Sequence, residues 1–189
     1  AGASEDLAEI ALQAIEQFAQ GHGQWLKVAG GPKADVLKTI VLRSLRKGSG
    51  VLVEFGAFVG YSAMRIGRTL AHCQSEENEV CQRLLSIEVE PVQACITRYF
   101  TDLAHLNHVA ELWIGQVKDV MPRIVEEFGN FGCLFAFFDY KGTVFHEDLA
   151  RMEHLDVFAA EAFVLADNIT TPGAPLFLWY TLHSPAWNT

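Results

Sequence analysis

Apolar residues recur along this chain in two rhythms. Leu7, Ile10, Ala11, Ala14, Ile15 and Phe18 fall on one face at helical spacing. They follow Ser4-Glu5-Asp6, where a hydroxyl and two carboxylates suit the start of a helix. Gly21 and Gly23 close it. Residues 25–32 read as a loop through Gly30-Gly31-Pro32, and Val36, Leu37, Ile40, Val41 and Leu45 mark a second helix that stops at Gly48 and Gly50. From Val51 the rhythm changes. Short apolar runs at 51–55, 83–87, 110–114, 133–138 and 161–166 alternate with helical stripes at 62–70, 91–103, 117–128, 145–157 and 175–182, with a polar insert at 72–82. The run 133–138 is apolar throughout, as in a central strand covered on both faces.

Strands alternating with helices predict an α/β fold, a doubly wound and mainly parallel sheet with right-handed crossovers. One domain over 1–189 is expected, with leading helices at 1–50, the α/β core at 51–182 and a tail at 183–189. In such sheets ligands gather at the carboxyl ends of the strands. Those ends carry Glu54-Phe55-Gly56, Glu88, Gly115, Asp139 and Asp167-Asn168, so four of the five present a carboxylate.

Composition narrows the choice of ligand. The net charge is −9 and the lysines and arginines are scattered, which argues against a nucleic-acid partner and for a small molecule. No apolar run reaches the roughly 18–20 residues of a membrane span. The start is acidic and amphipathic rather than basic then apolar, so no signal peptide is visible and a soluble cytoplasmic or organellar location is expected. The chain begins at Ala1 rather than Met, as a processed or trimmed chain would. Cys73, Cys81, Cys95 and Cys133 lack metal spacing. Cys95 and Cys133 read as small core residues, while Cys73 and Cys81 flank the polar insert, and a bridge between them stays open.

Two constellations carry chemistry. The first is the turn after residue 55. A dinucleotide site wants G-x-G-x-x-G, but here Gly56-Ala-Phe-Val-Gly60 puts bulky Phe58 at the middle position. Glu54 places negative charge beside the turn, which is poor for pyrophosphate and suits a ligand with an ammonium and a sulfonium. Glu88, about thirty residues on, is placed to accept hydrogen bonds from a ribose diol, although capping or a surface ion pair would use the same residue types. The second constellation is Asp139, Asp167 and Asn168. These are hard oxygen donors at neighbouring strand ends, the kind that suit Mg²⁺. A lone aspartate after a strand also serves as a cap.

The segments Val53-Glu-Phe-Gly-Ala-Phe-Val-Gly-Tyr-Ser-Ala-Met-Arg65, Ser86-Ile-Glu-Val-Glu-Pro91, Phe137-Phe-Asp139 and Leu165-Ala-Asp-Asn-Ile-Thr-Thr-Pro-Gly-Ala-Pro175 resemble the catechol O-methyltransferase family. The resemblance runs from about residue 5 to 182. It implies a Rossmann-like methyltransferase fold, S-adenosylmethionine and Mg²⁺ as cofactors, and a catechol-like substrate. It also implies that Glu54, Gly56, Phe58, Gly60, Tyr61, Ser62, Glu88 and Asp139 line the cofactor site. Asp139, Asp167 and Asn168 match the metal ligands, and Trp25 and Pro172 match apolar gatekeepers of the aromatic ring.

The match fails in places. The family's catalytic lysine falls on Gly142, and Lys141, one residue earlier, is the candidate base. Tyr140 and Lys141 stand for a histidine and tryptophan that contact adenine, Val117-Lys118 for Ser-Gln, and Lys27-Val28-Ala29 for Met-Asn-Val. The family continues into two more strands, whereas this chain reaches Thr189 after its last helix. The sheet is therefore expected to be truncated before those strands, leaving the run from Glu161 to Ala166 as an edge open to a protein partner. Two functional expectations follow. One is methyl transfer to a catechol-like hydroxyl; the other is a catalytically inactive methyltransferase-like module serving as a structural subunit. A nicotinamide oxidoreductase is disfavoured by Phe58.

Overall fold

The computed structural model describes residues 6–21, 26–74 and 82–189. Two helices lead, α1 (Leu7–Gly21) and α2 (Pro32–Leu45), followed by β1 (Gly50–Phe55), α3 (Tyr61–Gln74), β2 (Gln82–Glu88), α4 (Pro91–Leu103), β3 (Ala110–Ile114), α5 (Val117–Phe128), β4 (Cys133–Phe138), α6 (Phe145–His154), β5 (Phe158–Ala166) and α7 (Pro175–His183). The strands form one sheet in the order β3-β2-β1-β4-β5, and every neighbouring pair is parallel. This is the expected doubly wound arrangement, with β1 at the centre and β5 as one edge.

Alternation along the strands feeds two cores. Leu52, Leu84, Phe135 and Phe137 face α1, α2 and α3 through Leu12, Leu37, Val41, Met64 and Leu70. Val53, Phe55, Ile87, Ala136 and Phe138 face the opposite layer through Met121, Ile124, Leu149 and Met152. Both faces of the central strands are buried, which is why β4 reads as an unbroken apolar run. Cutting a wholly buried ring such as Phe135 to alanine would cost about 3–5 kcal/mol.

Three boundaries after the leading helices differ from the sequence expectation by more than one residue. Helix α3 runs on to Gln74. Helix α6 ends at His154 rather than 157, because Asp156 turns left-handed (φ 52°) and the Val157 N–H closes back on the Met152 carbonyl at 3.0 Å. Val157 is still buried, so its apolar character does not mark a helix. Strand β5 starts at Phe158 rather than 161 and bulges: Cys133 pairs with Phe158 but Phe135 with Phe163. Glu161 sits in the bulge at φ 57° and pairs with Lys47. At α1 the Asp6 carboxylate accepts the Glu9 N–H at 3.1 Å; Ser4 lies outside the described residues. So does Cys81, and with it the question of a bridge to Cys73; Cys133 is buried as expected, but Cys95 is exposed on α4 rather than in the core. Among the described residues no helix is long and apolar enough to cross a membrane.

Candidate functional site

The order β2-β1-β4-β5 brings Glu88, the Gly56 turn, Asp139 and Asp167 side by side along the carboxyl edge. The turn is held from both sides. The Gly56 N–H donates to the Ile87 carbonyl and the Asp139 N–H to the Phe55 carbonyl, both at 2.9 Å. Gly56 has φ 97°, and a Cβ there would overlap the Asp139 carbonyl, lying 2.9 Å from its carbon. Only glycine lets the β1 and β4 ends approach so closely. Phe58 is also left-handed (φ 50°), a strain on the order of 1 kcal/mol for a bulky residue. Its N–H donates to Glu88 Oε2 at 2.8 Å and its carbonyl accepts from Thr97 Oγ1 at 3.0 Å, which holds it there.

Glu54 lies one residue below the edge and is wholly buried. The Ser86 hydroxyl donates to Oε2, while Oε1 has no hydrogen-bond partner among the described residues. Burial pushes the Glu54 carboxyl up to about 7; the hydroxyls of Ser62 and Ser86 ease it partway, and the charges of Asp139 and Glu88 add to the rise. Glu88 is buried too. It accepts the Phe58 N–H and, through Oε1, the N–H groups of Val89 (2.8 Å) and Glu90 (2.9 Å).

Two cavities meet at Asp139. A cleft of about 570 Å³ is lined by Gly56, Phe58, Glu88, Asp139, Tyr140 and Lys141, among others. At its far end the Tyr140 hydroxyl donates to Asp148, which also accepts from Arg151 Nη1 at 2.8 Å. A cavity of about 430 Å³ lies on the other side, lined by Asp139, Asp167, Asn168, Lys33 and residues of α1 and the 26–31 loop. There Asn168 Nδ2 donates to Asp139 Oδ1 at 3.3 Å, and the Asn168 N–H donates to Asp167 Oδ1 at 2.6 Å. Lys33 Nζ donates to both oxygens of Asp167, at 2.6 and 2.9 Å. Burial pushes Asp139 up to about 6, the Asp167 charge adds to the rise, and Lys33 opposes it. Two carboxylates and an amide at one edge are donors that a small hard cation could use. Among the described residues no three His, Cys, Asp or Glu side chains cluster at metal-binding distance.

Several expected residues fall elsewhere. Lys141, the candidate base, is exposed on the wall of the larger cleft and does not line the cavity of Asp167 and Asn168. Position 142 lies against the turn before α7: a Cβ on Gly142 would be 3.2 Å from Ala174 Cβ. The Tyr61 hydroxyl is tied to Glu16 and Arg65, joining α3 to α1, and lines neither cavity. Ser62 is buried at the start of α3, and Gly60 (φ 82°) closes the turn 3.0 Å, as a Cβ would lie, from Thr97 Cα. Pro172 is exposed in the kinked turn Ile169–Gly173 and lines neither cavity. Trp25 lies outside the described residues. Lys33 was not singled out from the sequence as a site residue. It sits 134 positions from Asp167, in a helix start with no motif around it.

The sequence matches no protein-family model. It is similar to catechol O-methyltransferase of Mus musculus, 27% identical over 176 residues, covering 93% of this chain and 62% of that protein. The chain thus spans less than two thirds of that relative's length. Catechol O-methyltransferase of Sus scrofa is 30% identical over 149 residues, covering 79% of this chain and 74% of that protein. In three dimensions the chain resembles the O-methyltransferase TomG of Streptomyces achromogenes, solved in complex with SAM. The TM-score is 0.70 at 21% identity, covering 92% of this chain and 78% of that one. The fold is therefore the Rossmann-like fold of O-methyltransferases, and with the identity to the pig protein sustained over three quarters of its length, the chain belongs to the catechol O-methyltransferase family.

Proposed function

We propose that this chain transfers a methyl group from S-adenosylmethionine to a hydroxyl of a catechol-like small molecule, with Mg²⁺ as the metal. The observation that carries this reading is the place of Asp139, which borders both the larger cleft and the smaller cavity. A donor in one and an acceptor in the other would meet across a single residue, and holding two reactants in line supplies much of a transfer rate.

The residues on the cleft side fit S-adenosylmethionine. Glu54 lines neither cavity; buried just below the strand end, its Oε1 is an acceptor without a partner among the described residues, suited to a cationic ligand group that reaches down to it. Gly56 leaves no side chain between the ligand and the strand end. Glu88 accepts three N–H groups and keeps lone-pair capacity for a ribose hydroxyl. On the cavity side, the carboxylates of Asp139 and Asp167 with the Asn168 amide oxygen fit Mg²⁺ by donor chemistry. When bound, S-adenosylmethionine supplies an electrophilic methyl group and Mg²⁺ supplies charge that favours an ionised acceptor hydroxyl. The chain's own part is to orient: the Gly56–Gly60 turn and Glu88 fix the donor, and Asp139 fixes the boundary. Tyr61 and Ser62 contribute by setting the start of α3 beneath that turn. Trp25 remains a candidate to flank the acceptor ring, whereas Pro172 would have to move in from an exposed turn that borders neither cavity. For Lys141 to act as the base, its side chain would have to reach past Asp139 from the cleft.

That position of Lys141 favours a second reading, a catalytically inactive module that works as a structural subunit, with the edge strand β5 available to a protein partner. Transfer of labelled methyl to catechol, with Mg²⁺ and with a chelator, separates the two. Transfer that stops on chelation supports the first reading. Binding of S-adenosylmethionine without any transfer would sink it in favour of the second.

A further inference from the structure

Asp167 is already holding a cation. Lys33 Nζ lies 2.6 Å from Oδ1 and 2.9 Å from Oδ2, so one ammonium spans the whole carboxylate. The two partners differ in freedom. The Asp167 side chain is only 14% exposed and is fixed by the backbone, since Oδ1 also accepts the Asn168 N–H at 2.6 Å. The Lys33 side chain is 56% exposed and hangs from the first turn of α2, so it has solvent to retreat into. With Oδ1 taken by a backbone N–H, a metal ion that binds Asp167 competes with Lys33 and not with the backbone. The same ammonium also balances two carboxylates, Asp139 and Asp167, that line one cavity.

We propose that Lys33 is an internal counter-cation that competes with the divalent metal for Asp167. It holds the site closed when metal is scarce and swings out when metal binds. This rests on the Mg²⁺ reading above and goes beyond it, because it assigns a residue that sets the metal affinity without being a ligand. Lys33 and Asp167 also line a small apolar slot of about 260 Å³ with Val36, Leu37, Phe137 and Leu165. Release of the lysine would therefore open the polar cavity toward that slot, so metal binding and widening of the site occur together.

The test is Mn²⁺ titration followed by the electron paramagnetic resonance of free Mn²⁺, on the 189-residue chain without methyl donor or acceptor. Lys33→Gln should bind Mn²⁺ about fivefold more tightly, about 1 kcal/mol. Lys27→Gln removes the same charge from the wall of the same cavity with no bond to Asp167, and should change the affinity less than twofold, about 0.4 kcal/mol. Asp167→Asn should lose binding in either background. Far-UV circular dichroism checks that each variant is folded, which the exposure of Lys33 favours. Equal Mn²⁺ affinity in wild type and Lys33→Gln, or an equal gain from Lys27→Gln, would overturn the competition while leaving the Mg²⁺ reading intact. No Mn²⁺ binding by either protein would remove both.

Discussion

Glu54 is the residue whose replacement is most informative, because it should make the free protein more stable above neutral pH and the ligand complex weaker. Its carboxyl is wholly buried and is pushed from 4.5 to about 7. That rise corresponds to about 3 kcal/mol. The sign follows from the direction. A raised acid is favoured protonated in the folded state, so its stabilising share is fully present below about pH 4.5 and is lost as the pH rises through about 7. Glu54→Gln removes the titration and keeps the shape, and the Ser86 hydroxyl still finds an oxygen. The new amide group has no evident acceptor where Oε1 stood, a penalty of about 1 kcal/mol. The expected result is a variant about 1 kcal/mol less stable than wild type near pH 4.5 and about 2 kcal/mol more stable near pH 8. Urea unfolding followed by circular dichroism reads this directly. With a slope of roughly 2 kcal/mol per molar urea, the midpoint near pH 8 should rise by about 1 M. Curves for wild type and variant that stay parallel from pH 4.5 to 8 would refute the buried, unpaired carboxyl. The same variant should bind S-adenosylmethionine on the order of tenfold or more weakly, since a hydrogen bond to a charged group is worth about 1.5–3 kcal/mol.

Other outcomes follow from the same geometry. Gly56→Ala forces a Cβ into the Asp139 carbonyl at a backbone angle that disfavours side chains, so thermal unfolding should show a loss of about 3 kcal/mol or more, and methyl-donor binding should fall with it. Lys141→Ala should alter the affinity for S-adenosylmethionine by a few-fold and leave turnover within about tenfold, because the side chain lines the cleft; a drop of about 100-fold or more in kcat alone would mean that it reaches the acceptor as a base.

Much of the fold was legible in the residues because parallel strands covered on both faces must be apolar at every position. Residues 133–138 and the polar groups that end each strand therefore stood out. The site edge was legible for the same reason: Glu54, Glu88, Asp139 and Asp167 interrupt apolar runs where the chain leaves the core. What escaped depended on backbone turns that any residue type can hide. Asp156 and Glu161 adopt left-handed angles without being glycine, so α6 ended early and β5 began early. Val157 kept the helical stripe going on paper while its N–H was closing the helix behind it. Lys141 escaped for another reason. One residue in an extended loop decides which cavity a side chain borders, and spacing from Asp139 does not carry that information. Tyr61 follows a family pattern, yet its hydroxyl turns to Glu16 on α1, a contact set by helix packing 45 residues away. The Lys33–Asp167 pair is of the same kind, made only when α2 docks beside β5.

The cleft beside the Gly56 turn is the proposed S-adenosylmethionine site. Calorimetric titration of the 189-residue chain with S-adenosylmethionine, beside Gly56→Ala, tests it. One site per chain in the wild type, with weaker binding in the variant at a temperature where circular dichroism shows it folded, is the expected result. No heat of binding in a folded wild-type chain would contradict it, and with it the assignment of Glu54, Glu88 and Asp139 to a methyl-donor site.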